Sequence, residues 1–305
     1  MQKTVERSAL LSSGITSSDS LVSLTSGGTL INLPFWKNLA DDEDDILSDS
    51  NKVGVSKMVS GNSVACVHLR AKAWAANDLA SLLANSNAMD AIGLKVADYW
   101  AHRYQRVLTS TLKGVFAATS MKDSALNISG ETGTAGIVSS NSMIDAIYLL
   151  GDASSKITGI IMHSFFRKKL AKLNLVETIR DSEGNPLFDA YMGKRIIVDD
   201  DLAPEKVTVG SEQKNAYPVY FFGEGAVAYN EGAEITRIET DRDKLAGDDY
   251  LITRRQFTMH PRGLKWKGTA AGTTPSNAEL ATGTNWELVD ERKNVPIAKL
   301  VARID

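Results

Sequence analysis

Between residues 86 and 119 apolar side chains return every three or four positions, at Ile92, Val96, Trp100, Tyr104, Leu108, Leu112 and Phe116, with Val107 and Val115 widening the stripe. That spacing predicts one long amphipathic helix over residues 86–119. Lys95, Asp98, Arg103, Arg106 and Lys113 occupy the other flank, so one side packs and the other meets water. Asn87 or Asp90 can accept hydrogen bonds from the free amides of the first turn, and no proline interrupts the segment. Gly93 and Gly114 each weaken the helix by about 1 kcal/mol relative to alanine without breaking it. At 1.5 Å per residue such a helix is about 45 to 50 Å long, which suggests a flat or extended molecule.

Upstream the period changes to two. Over residues 51–74, Val53 and Val55 alternate with polar neighbours, Ser60-Gly61-Asn62-Ser63 reads as a turn, and Val64, Cys66 and His68 alternate with Ala65, Val67 and Leu69. This predicts a long β-hairpin. Two strands alone are marginally stable in water, so the hairpin must lie on another part of the fold or, the favoured expectation, on another subunit. Residues 1–33 are rich in serine, threonine and glycine, with scattered leucines and no period. They predict an extended arm that orders only against something else. Phe35 and Trp36 beside Pro34 suit a contact anchor. The run Asp41-Asp42-Glu43-Asp44-Asp45 lacks the alternating ligands and turn glycine of a calcium loop, and is expected to be a solvated acidic loop.

Beyond the helix, residues 120–140 are polar and glycine-containing, a crossing into a second lobe. That lobe alternates a short helix over 142–150, an apolar strand over 156–163, a basic amphipathic helix capped by Ser164, and strands over 193–198 and 217–222. Lys168, Lys169 and Lys172 belong to a solvated helix face. Period-two character returns over residues 233–264, as strands that return to the first lobe, and residues 294–305 form a final extended tail.

Composition adds exclusions. The chain has 305 residues, 43% apolar and 23% charged, with a formal charge of -3, so its surface is not built mainly to grip phosphate backbones. The single cysteine, Cys66, excludes an intrachain disulfide and a clustered-cysteine zinc site, and reads as a small apolar strand residue. No apolar run reaches the roughly 18 residues of a membrane span, and the first residues lack a signal core. The stretch Phe222-Gly223-Glu224-Gly225-Ala226 has the glycine spacing of a dinucleotide loop, but Tyr229-Asn230-Glu231-Gly232 follows as turn or strand where a helix is needed. No serine elbow or Walker loop occurs, and His68, His102, His163 and His260 are far apart, His68 being an ordinary strand residue. No catalytic, metal or cofactor site is expected, and the chain is not expected to be an enzyme.

The order of parts resembles the major capsid proteins of tailed phages, the Hong Kong 97 type. The matching stretches are DYWAHRYQRVLTSTLKGVFA, IIMHSFFRKKLAKLNL, YMGKRIIVDDDL, YPVYFFGEGAVAY, ETDRD followed by RRQFTMHPRGLKW, and the terminal NWELVDERKNVPIAKL. The resemblance implies an α+β fold with an N-terminal arm (1–35), an extended β-hairpin loop (36–75), a peripheral domain with the spine helix (76–135), an axial domain (136–232) and return strands of the peripheral domain (233–305). It further implies a homo-oligomer of hexamers and pentamers in a closed icosahedral shell around double-stranded DNA held without sequence-specific binding. A scaffolding protein and a portal would take part, with assembly in the host cytoplasm and final residence in the virion. Nothing resembling a fused scaffold precedes the arm, so a separate scaffold or a removed leader is expected. No residue matches the lysine and asparagine that cross-link some relatives. Inter-subunit contacts are expected at Leu21, Leu24, Phe35, Trp36, Lys57 and Arg70. The rival readings are a bacterial compartment shell enclosing an enzyme, a tail or adhesion subunit, and an α/β nucleotide-binding enzyme using the loop at Gly223.

Overall fold

The computed structural model describes residues 14–19, 22, 28–39, 43–46, 49 and 52–305. Strands β1 (Thr16–Ser18), β2 (Leu30–Trp36) and the 18-residue β3 (Ser60–Asn77) come first, followed by helices α1 (Asp78–Ala84) and α2 (Ala88–Ala117). The middle of the chain holds β4 (Ala125–Asn127), α3 (Ser140–Ile147), β5 (Ile157–Met162), α4 (Ser164–Lys172), β6 (Glu177–Arg180), β7 (Pro186–Tyr191), β8 (Lys194–Val198), β9 (Glu205–Val209) and β10 (Glu212–Gly223). It closes with the long β11 (Val227–Asp243) and β12 (Asp248–Pro261), then β13 (Leu264–Trp266), α5 (Asn277–Leu280), β14 (Trp286–Leu288) and β15 (Ile297–Arg303).

These strands form two main sheets. The first runs β1-β11-β12-β3-β2; the second runs β4-β15-β10-β5-β8-β7-β6, with β9 also on β10. The chain passes from second to first at Gly223–Ala226. There the Gly223 amide donates to Pro296 O at 2.8 Å and Gly225 adopts a φ of 65. The glycines thus serve a tight crossing between sheets, and strand β11 follows where a dinucleotide site needs a helix.

The spine helix α2 lies over the first sheet. Asn87 caps it by accepting from the amides of Met89 and Asp90, and the whole expected stripe from Val96 to Phe116 is buried. Asn85, in the left-handed region with φ 48, separates it from α1. A run of aromatic contacts links Trp74, Tyr99, Trp100, Tyr104 and Phe257, with ring centres 4.5 to 6.1 Å apart. Trp100 also donates from Nε1 to Thr253 Oγ1 at 3.1 Å. Trp100→Phe keeps most of the apolar contact and loses that bond, so a loss of about 1 to 2 kcal/mol is expected in chemical unfolding.

Several sequence expectations need correction. Residues 60–63 are not a turn: they open β3, which runs straight to Asn77. Its antiparallel partner upstream is β2, Leu30 facing Cys66 and Trp36 facing Ser60, so the hairpin is closed by residues 37–59. Gly61 is needed inside the strand because the Phe35 ring lies where a side chain would stand. The described parts of the arm are ordered by their own chain. β1 pairs in parallel with Val227–Tyr229, Ile15 is buried in the core, and Arg262 holds Asp19 at 2.6 Å and Ser17 Oγ at 3.1 Å. Helix α4 is capped by His163, whose Nδ1 accepts from the Phe165 amide at 3.1 Å, one residue before the expected Ser164. The C-terminal tail is β15, set between β4 and β10 in the second sheet rather than beside the return strands. All seven of its residues are buried.

Candidate assembly surfaces

The connection between β2 and β3 carries apolar side chains into solvent. Trp36, Leu39, Val53, Met58 and Val59 are exposed, and Ile46 and Val55 are 93% and 90% exposed. Apolar groups gathered at this density on one loop mark a contact surface, since isolated exposed leucines or valines are ordinary but a run of them is not. The loop is tethered within the chain at Asn38, which donates to Glu291 Oε2 at 3.0 Å, and at Asp45, which accepts from the Gly54 amide.

Leu21 and Leu24 lie outside the described residues. Phe35 is half-buried, its ring turned onto Gly61 of its own chain, whereas its neighbour Trp36 is 67% exposed. Lys57 is exposed. Arg70 is half-buried at the spine helix and donates to Pro275 O at 2.6 Å and to Asn277 Oδ1 at 3.2 Å. The structure therefore leaves Trp36, at the end of β2, and Lys57, in the connection that follows, exposed, and sets Arg70 apart on the long strand.

A second apolar surface was missed from sequence. Leu79, Leu82 and Leu83 of α1, Leu94 of α2 and Leu245 at the β11–β12 turn are all at least 61% exposed. The signal was legible: a short segment with leucines at i, i+3 and i+4, one apolar helical stripe that needs a partner surface. Its base is rigid. Asn77 Nδ2 donates to Asp248 Oδ1 at 2.7 Å and to Ala246 O at 3.1 Å, and Arg242 bonds both Asp78 and Asp249.

The two sheets meet at the spine helix through the Asp199-Asp200-Asp201 loop that follows β8. Gln105 donates to Asp199, His102 Nδ1 lies 3.1 Å from Asp201 and Arg106 Nε 3.8 Å from the same carboxylate. One helical face thus holds the loop by three side chains. Tyr220 of the second sheet stacks on Phe116 at 5.6 Å, adding an apolar contact at the other end of the joint.

Burial holds three interior groups, His68, His260 and Cys66, in their neutral forms. Desolvation, with the charge of Arg70 adding to it and the Met259 backbone opposing, pushes His68 down to about 3. Burial lowers His260 to about 4, although its bond to Leu264 O opposes the shift. Burial pushes the Cys66 thiol up to about 12, which makes it an inert strand residue. Ser63 Oγ and His260 Nε2 lie 3.0 Å apart and resemble a nucleophile pair, but both are buried and both address Leu264 O, Nε2 at 2.8 Å. The ring nitrogen that would take the serine proton already bonds that carbonyl, so the pair is structural. Among the described residues no group of three potential metal ligands occurs, and no helix is long and apolar enough to cross a membrane.

Comparison with known proteins agrees with this geometry. Residues 26–296 match the family model Gp13-like, described as "Major capsid protein 13-like". The chain is 39% identical, over 99% of its length and 93% of the relative's, to the major capsid protein of Bacillus phage SPP1. Among solved structures it is similar to the capsid of cyanophage Pam1, with a TM-score of 0.59 at 15% identity over 95% of this chain and 88% of that one. It is also similar to the capsid of Helicobacter pylori bacteriophage KHP30, with a TM-score of 0.59 at 9% identity over 95% and 89%. These low-identity likenesses carry the Hong Kong 97 type of α+β fold.

Proposed function

The chain belongs to the Gp13-like major capsid protein family, and on that premise we propose that its copies close into an icosahedral head of hexamers and pentamers around packaged double-stranded DNA. A separate scaffolding protein and a portal take part in assembly. As a tailed-phage major capsid protein it resides in the virion, and its family is one of structural proteins. In this reading the chain itself does no catalysis.

The observation that carries the proposal is the run of exposed apolar side chains among the described residues of 37–59, Leu39, Ile46, Val53, Val55, Met58 and Val59, left uncovered by the described residues of their own subunit. Many such weak contacts add through multivalency while each stays reversible enough to correct errors during closure. Trp36 and Lys57 belong to that surface, and Arg70 to the surface that receives it, while Phe35 braces the base of the loop against Gly61. The net charge of -3 suits an inner wall over which DNA slides during filling, because each phosphate neutralised would add salt-dependent grip. A head expands on maturation by moving between two packings of one subunit, and the joint at Asp199–Asp201 is the hinge this chain offers for it.

Replacing residues 43–58 by a short glycine-serine linker tests the loop's role. The variant is expected to melt cooperatively, near the parent temperature, and to elute without shells. Normal closed particles from that variant would contradict the reading.

A further inference from the structure

Where β3, α2 and the start of α5 meet, a hollow of about 320 Å³ is lined by Arg70, Tyr99, Trp100, Arg103 and Asn277. It holds two guanidinium groups and has no carboxylate in its lining. Arg70 is fixed by its bonds to Pro275 O and Asn277 Oδ1, and Arg103 stands over the Tyr99 ring at 5.5 Å. Neither arginine forms an ion pair among the described residues. The like charge of Arg103 adds to burial in pushing the Arg70 guanidinium below its usual range. Glu279 is near enough to act on Arg70, but its oxygens are engaged in capping α5, accepting from the Ser276 amide at 2.8 Å, the Ser276 hydroxyl at 2.8 Å and the Ala271 amide at 2.7 Å. A preorganised pair of planar cations without a counter-ion is a receptor for a carboxylate. Next to it, and sharing Tyr99, a hollow of about 270 Å³ is lined by Trp74, Ala91, Ile92, Lys95 and Val96, four of these five being apolar. A ligand that fills both presents acid followed by an aliphatic side chain.

The stretch Glu43–Ile46 of this chain fits that description. Glu43 and Asp44 are exposed, form no ion pair among the described residues, and lead directly through Asp45 to the 93% exposed Ile46. We propose that the Arg70–Arg103 pocket receives the acidic segment Glu43–Asp45 of a second copy, with Ile46 entering the adjoining hollow beside Trp74. The proposal rests on the shell reading above and gives its loop contact a charge register. It also assigns Arg103 a function that its place on the wet flank of the helix conceals.

The test uses full-length protein with charge reversals on either side. Arg103→Glu alone is expected to fold, with a cooperative melt, and to lose closed particles under conditions in which the parent forms them. Glu43→Lys with Asp44→Lys should lose them in the same way, and all three substitutions together should restore them. Parent-like particle yield from Arg103→Glu would overturn the proposal. So would a defect that the triple variant leaves unrepaired, since the pocket would then serve another anion such as a phosphate. Failure of the unsubstituted parent to close with its scaffolding protein present would count against the shell reading itself, which separates the two.

Discussion

Replacing Gly114 with alanine is expected to cost the subunit more than any other single methyl group in the spine helix. Helix propensity alone predicts the opposite, a gain of about 1 kcal/mol. The packing decides otherwise. A Cβ at Gly114 would overlap the carbonyl oxygen of Leu280 and lie 3.0 Å from its carbon and 2.9 Å from Trp286 Nε1. That carbonyl cannot yield easily, because it accepts from Trp286 Nε1 at 2.8 Å and belongs to the end of α5. Trp286 is in turn packed on Trp266 at 5.1 Å. Separating α2 from this cluster opens the core around Leu112 and Val115, a cost of about 4 kcal/mol or more, comparable to the whole stability margin of a marginal domain. The expected result is insoluble protein, or soluble protein whose melting temperature falls by many degrees. Gly93 meets nothing within 4 Å, so Gly93→Ala is the internal control and should be neutral or stabilising. Equal behaviour of the two variants would mean that α2 does not pack on α5 in this way.

The second large effect is acid lability centred on His68 and His260. Both have folded-state pKa values, about 3 and about 4, below the ordinary value of 6.5. Their neutral forms therefore support the fold fully above pH 6.5. Below it the unfolded chain binds protons that the folded chain refuses, and stability falls as pH drops toward 4. Each group contributes a slope of about 1.4 kcal/mol per pH unit in that window, or about 2 kcal/mol each at pH 5. His68→Leu is expected to remove about half of this slope between pH 6.5 and 5, read as the difference from the parent in denaturant unfolding at each pH. An unchanged slope would show that His68 titrates normally and is therefore not buried as described.

The legibility of the fold followed the range of the interactions. The spine helix was readable to within two residues because its period is local, and Asn87 announced its start. Period two in residues 64–69 marked a strand, but its partner could not be read. β2 is separated from it by residues 37–59 and contains Pro34, which is tolerated because β2 is the last strand of its sheet. The apolar run at Ile297–Arg303 was visible as extended chain. Its seat beside β10, far earlier in the sequence, depends on a pairing that no local pattern encodes. Of the residues expected at contacts, Trp36 and Lys57 are exposed and Phe35 and Arg70 half-buried, whereas Arg103 looked like any solvated helix charge until β3 and α5 brought Arg70 beside it. The glycine spacing at Gly223 was misleading in isolation. The element after it, a strand, decided its meaning.

The account stands most directly on what purified, full-length protein does as its concentration rises. Electron micrographs of the intact chain, mixed with its scaffolding protein and paired with sedimentation velocity, should show a subunit population giving way to closed, roughly spherical particles of uniform size. A single monomer boundary at every concentration, or open tubes and rings in place of closed particles, would contradict it.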